Sequence, residues 1–235
     1  MRKGLTIFCL FFIILVVLGE VCLPWIISNM LRTQAEQRLA TTDIEVNLSS
    51  TPNFLMCLGQ VDDLRAVAHQ ARVGKVGVRE LTLTGKKVHF DMQSLLNGET
   101  VHVSKAEALV LAGIIDEENL RDALSRSLDR VENVQVRIAP ELTMVTAEAK
   151  IFGQKVEIEL TGRVIEDMGA LYFQMERLSL KNSHMGLAKL EGVFGDMFGN
   201  IELAGADKLP LGLKLMKAEQ SDGVIILQAE RDKGL

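Results

Sequence analysis

The chain has 235 residues, 48% of them hydrophobic, with 26 Lys plus Arg against 31 Asp plus Glu and a formal net charge of −5. Arg2, Lys3, Glu20, Arg32, Glu36 and Arg38 precede residue 41, which leaves 22 basic and 29 acidic residues for the remainder. That balance excludes a nucleic-acid binder and argues against simple electrostatic docking on anionic headgroups. It also leaves the work of any lipid contact to apolar side chains or a local basic patch.

The chain opens on its most hydrophobic stretch. After Arg2 and Lys3, the run from Gly4 to Ile27 is 24 residues long and carries one charge, Glu20. As a helix it is long enough to cross about 30 Å of hydrocarbon. A cleaved signal peptide is the competing reading, but Glu20-Val21-Cys22-Leu23-Pro24-Trp25 offers no small residues at alternate positions. Val21 before Cys22 also argues against lipid attachment at that cysteine. The expectation is therefore a retained transmembrane signal-anchor over residues 1–28, held in the cytoplasmic membrane through residues 4–27. By the positive-inside tendency its N-terminus is cytoplasmic, so residues 29–235 form one extracytoplasmic domain. Glu20 is expected near the outer interface beside Trp25. Cys9 and Cys22 lie in the apolar segment and Cys57 has no soluble partner, so there is no disulfide framework.

Beyond the anchor, Ile26, Ile27, Met30, Leu31, Ala35 and Leu39 share one stripe, which predicts a helix over Asn29 to Ala40. At Asp43 the period changes to two: Ile44, Val46 and Leu48 alternate with Asp43, Glu45 and Asn47, the pattern of a half-buried strand. The same alternation recurs at Leu81 and Leu83, at Val134, Val136 and Ile138, and at Val156, Ile158 and Leu160. Two segments return to helical spacing. Asp116 to Val131 places Leu120, Ala123, Leu124, Leu128 and Val131 on one side, with Asp116 as N-cap. Leu187 to Phe198 does the same with Leu187, Leu190, Val193, Phe194, Met197 and Phe198, and retains Gly192 and Gly195, each costing about 1 kcal/mol against alanine.

Turns separate the strands at Asn97-Gly98, Phe152-Gly153 and Ser221-Asp222-Gly223, the last joining a terminal hairpin. Between Leu171 and Leu180 the alternation changes phase, which predicts a bulge or bend in a long strand. The fold class that follows is α+β: a long curved, mostly antiparallel sheet, wet on one face, packed on a few helices.

Catalytic signals are missing. His69, His89, His102 and His184 are scattered without metal-ligand spacing, no nucleophile elbow or phosphate-binding loop occurs, and Glu157 and Glu159 read as a solvated strand face. A non-enzymatic protein without cofactor or metal is expected. Ten methionines and nine phenylalanines are instead spread through the chain, and methionine adapts to irregular apolar sites. For any one of them ordinary core is the simpler role. A concave sheet with a glycine-bearing helix across its mouth nonetheless suggests an acyl-chain cleft lined by Phe54, Met56, Phe90, Met92, Phe173, Met175, Leu190, Phe194, Met197 and Phe198. Lys86 and Lys87, beside Gly85, are the candidate headgroup contacts, with a solvated turn as their simpler role.

The segment Cys57-Leu58-Gly59 before a strand, the helix opening Ile115-Asp116-Glu117-Glu118-Asn119-Leu120, Phe152-Gly153-Gln154, and Leu209-Pro210-Leu211-Gly212-Leu213 before the Ser-Asp-Gly hairpin resemble the LmeA-like phospholipid-binding family of bacterial envelope proteins. The similarity covers roughly residues 30–230. It implies a fold similar to tubular lipid-binding domains, an extracytoplasmic location, phospholipid held in an apolar groove, and no catalytic residues. The family has no fixed polar motif to carry over, so the lining residues above rest on pattern alone. The expected function is a membrane-anchored, non-enzymatic phospholipid binder of the cell envelope. The alternative is a tethered interaction domain with a dry core that docks an envelope partner.

Overall fold

The computed structural model describes residues 2–99, 101–128, 131–151, 154–181 and 200–231; for 2–19, 151 and 154 it describes the backbone only. It packs as two compact units where composition read as a single domain. One comprises Met1–Ala68 with Thr82–Val110, the other His69–Leu81 with Leu111–Leu235.

The first unit is built on helix α1 (Arg2–Leu39), which runs unbroken through residue 28, the expected border between anchor and domain. Among the described residues no helix is long and apolar enough to cross a membrane; the side chains of residues 4–19 fall outside that statement. The helix packs on strand β1 (Ile44–Ser49) and on a 3-10 helix (Asn53–Leu58). β1 runs antiparallel to β2 (Gln60–Val73), pairing Ile44 with Ala68 and Leu48 with Leu64. All four are buried while Glu45 and Asn47 face water, as the period-two pattern requires.

Gly59 ends the 3-10 helix at φ 77°, where only glycine is unstrained, and a Cβ there would lie 2.1 Å from the Phe90 carbonyl oxygen. Phe90 closes strand β3 (Val76–Phe90). The expected turn at Asn97-Gly98 is present, with Gly98 at φ 71°, and joins the antiparallel strands β3 and β4 (Val103–Lys105), but the residues before it form a short helix, α2 (Met92–Leu96), in place of an irregular connection. Asp91 explains the difference: its carboxylate accepts from the Gln93 and Ser94 amides and, at 2.7 Å, from the Ser94 hydroxyl, so the chain starts a helical turn.

The second unit holds the end of β2, the start of β3, most of β5 (Ala108–Asp116) and all later elements. These are α3 (Glu117–Ser127), β6 (Val131–Ile138), β7 (Thr143–Ile151), β8 (Gln154–Asp167), β9 (Ala170–Lys181), β10 (Asn200–Ala204), β11 (Leu213–Ser221) and β12 (Val224–Arg231). One sheet follows the order β10-β9-β8-β7-β6, and in the other the strands of this unit follow β2-β3-β5-β12-β11. The architecture is therefore α+β and mostly antiparallel, with two sheets in place of a single curved one.

Asp116 caps α3 as expected, its Oδ1 accepting from the Asn119 amide at 2.9 Å. The helix stops at Ser127 and not at Val131, because Leu128 is already extended and the β-branched Val131 opens β6. The phase change in β9 is a bulge: Thr161 pairs with Arg177 and Gly162 with Met175, so Glu176 is the extra residue. Ser221-Asp222-Gly223 joins β11 to β12 with Gly223 at φ 73°. The predicted helix over Leu187 to Phe198 lies outside the described residues.

Candidate functional site

Within the second unit strands of the two sheets line a cavity of about 30 Å³. Each strand around it contributes an inward aliphatic side chain, among them Val78 from β3, Ile115 from β5, Leu171 from β9, Ala204 from β10, Leu215 from β11 and Ala229 from β12. Gly113 in the middle of β5 keeps the space open: a Cβ there would lie 3.3 Å from Leu81 Cδ1 and 3.5 Å from Val78 Cγ1. Among the described residues no side chain around the cavity is charged or polar, so none of these side chains recognises a substrate by hydrogen bonding, and what they offer is desolvation of hydrocarbon. A single water needs about 10–15 Å³, so the space as it stands is too small for an acyl chain and has to widen to admit one.

None of the described Phe and Met residues expected to line a cleft borders this cavity. Phe54, Met56, Phe90 and Met92 belong to the first unit. There Met56 and Phe90 are buried, Met92 is half-buried beside Gly59, and Phe54 is exposed on the 3-10 helix. Phe173 and Met175 belong to the second unit, where Phe173 is fully buried with its ring over Gly162. Leu190, Phe194, Met197 and Phe198 lie outside the described residues. The cavity residues that sequence reasoning missed are Val, Leu, Ile and Ala at inward strand positions. The one local signal was Gly113 inside a strand, which marks a close approach or an unfilled space.

The first unit carries an open groove of about 390 Å³ lined by residues of β1, β2, β3 and the start of β5. Lys86 borders it and forms an ion pair with Asp63. Arg65 also borders it and has no ion pair among the described residues. Lys87 lies outside the groove's lining and is bound by Glu107 at 2.7 Å, which holds the lysine above and the carboxyl below their ordinary values.

The other titration shifts have the same surface origin. The side-chain hydrogen bond from Lys155 is the largest cause lowering Glu132, and that to Glu157 the largest raising Lys181. Both groups lie on the sheet face where Glu157 and Glu159 were expected to be solvated. Among the described residues no three His, Cys, Asp or Glu side chains are placed to hold a metal.

The LmeA-like phospholipid-binding family model matches residues 18–230. Comparison with curated proteins and with solved structures gives no match. A match that spans almost the whole chain places this protein in the LmeA-like phospholipid-binding family.

Proposed function

We propose that the protein is a membrane-anchored, non-enzymatic phospholipid binder of the bacterial cell envelope, tethered by its N-terminal run with its N-terminus in the cytoplasm and both units outside. The observation that carries this reading is the all-apolar lining of the cavity in the second unit. An acyl chain admitted there gains about 0.8 kcal/mol per buried methylene, and the cost of widening the space is set against that gain. Taken by itself, the groove of the first unit presents Lys86 and Arg65 to an anionic group. An anion at Lys86 or Lys87 competes with Asp63 or Glu107.

The test is native mass spectrometry of the full chain extracted from membranes in mild detergent. Copurifying phospholipid, or uptake of added phospholipid, is the expected result. A chain that is lipid-free on extraction and takes up none overturns the reading. The small volume of the cavity favours a second reading, a tethered interaction domain with a dry core, and that lipid-free outcome is what it requires.

A further inference from the structure

We infer that the exposed apolar patch formed by α1 and the 3-10 helix of the first unit is seated in the outer interface of the same bilayer. This rests on the membrane anchor proposed above. Val21, Trp25, Phe54 and Leu58 are 70%, 72%, 52% and 67% exposed. Val21 and Trp25 are one turn apart on α1, and Phe54 and Leu58 stand outward on the 3-10 helix whose Met56 points into the core. The two elements are fastened at Glu20 and Asn53, where the Asn53 amide donates to the Glu20 carboxylate and its side chain to the Glu20 carbonyl.

Three observations name the occupant. First, α1 is one unbroken helix, so the patch continues the apolar run toward residue 4. Second, the engagement of Glu20 by Asn53 puts the edge of the folded body at residue 20 and leaves Gly4 to Gly19, sixteen residues, before it. At about 1.5 Å per residue these rise about 24 Å, short of the roughly 30 Å of hydrocarbon. The missing length is about one turn, the turn that carries Val21 and Trp25. Third, Glu20 is the only charge between Gly4 and Leu31, and a tryptophan flanked by aliphatic side chains is the composition of a membrane interface. Insertion here needs no basic cluster.

Trp25 is the only tryptophan and Cys57 is exposed and unpaired, so both elements can be read separately. The full chain, with Cys9→Ser and Cys22→Ser and an environment-sensitive dye on Cys57, is reconstituted into phosphatidylcholine vesicles brominated either near the carbonyl or near the chain end. Expected are flotation with the vesicles, blue-shifted emission from both Trp25 and the dye, and stronger quenching of both by the shallow bromines. Phe54→Ser with Leu58→Ser is expected to abolish dye quenching while the circular dichroism spectrum is retained. A chain that floats but whose dye is unquenched overturns the patch and leaves the anchor standing; that is also the result if a protein partner or a second copy covers the patch. A chain that does not float overturns the anchor and, with it, this inference.

Discussion

Asn53 holds Glu20 twice: its backbone amide donates to Glu20 Oε2 at 2.9 Å, and its Nδ2 donates to the Glu20 carbonyl oxygen at 2.8 Å. The second bond answers a need created by Pro24, four residues on in the same helix. Proline has no N–H to return to that carbonyl, and an unpaired carbonyl away from water is costly. Asn53→Ala is expected to lower stability by about 1–3 kcal/mol, since it also removes the acceptor of the Ser50 amide. Pro24→Ala supplies a helical donor to Glu20, so the double variant recovers part of that loss. Thermal melts of the four chains measure the coupling, and strictly additive effects refute the account.

Much of the fold was legible because its signals are local. The alternation of Ile44 and Leu48, the cap at Asp116 and the phase change across Met175 and Leu178 each depend on neighbours within a few residues. The role of Glu20 was not legible, because its partner lies 33 residues away and only packing of the helix on the 3-10 turn brings them together. The cavity was hidden for a similar reason. Val78, Leu171 and Ala229 read individually as ordinary core, and only the pairing of strands shows that they surround an unfilled space. Attention went to Phe and Met for their softness, whereas the space between pleated sheets is lined by the aliphatic residues that strands favour.

Thr143 sits at the start of β7, fully buried, and its hydroxyl has no hydrogen-bond partner among the described residues. Burying an unmatched hydroxyl costs about 1–3 kcal/mol. Thr143→Val keeps the branched shape without the polar atom and is expected to raise stability by about 1 kcal/mol, read as a higher denaturant midpoint at unchanged slope. A lower midpoint would show that the hydroxyl is satisfied in solution.

Asp91 connects pH to the short helix α2. The hydrogen bond from the Ser94 hydroxyl is the largest cause holding its carboxyl below the ordinary 3.8, with the Gln93 and Ser94 amides adding to it. A carboxyl depressed in the folded state contributes stability that is present above its unfolded value and is lost as pH falls through the folded one. The Asp91 carboxyl followed by NMR is therefore expected to titrate below 3.8, and α2 amide signals are expected to shift with it. Ser94→Ala is expected to move that midpoint upward, and an unmoved midpoint would remove the hydroxyl as the cause.

Gly113 separates the lipid-binding reading from a merely structural cavity. A Cβ on it would fill the apolar space and press on Leu81 Cδ1 at 3.3 Å, a tight contact with the end of a flexible side chain. Gly113→Ala is expected to change stability by no more than about 1 kcal/mol, because filling and crowding oppose each other. Gly162→Ala is the contrast, since its Cβ would meet the Gln174 carbonyl oxygen at 2.2 Å and the bulge of β9 cannot yield; a loss of at least about 2 kcal/mol is expected. A ligand that binds only the folded state stabilises it by about 2.7 kcal/mol at a hundred times its dissociation constant. Phospholipid is therefore expected to raise the melting temperature of the unaltered chain, and to raise that of Gly113→Ala less. An equal shift in the two chains would mean that the lipid binds elsewhere, and the cavity would then be only a flaw in the packing between the sheets.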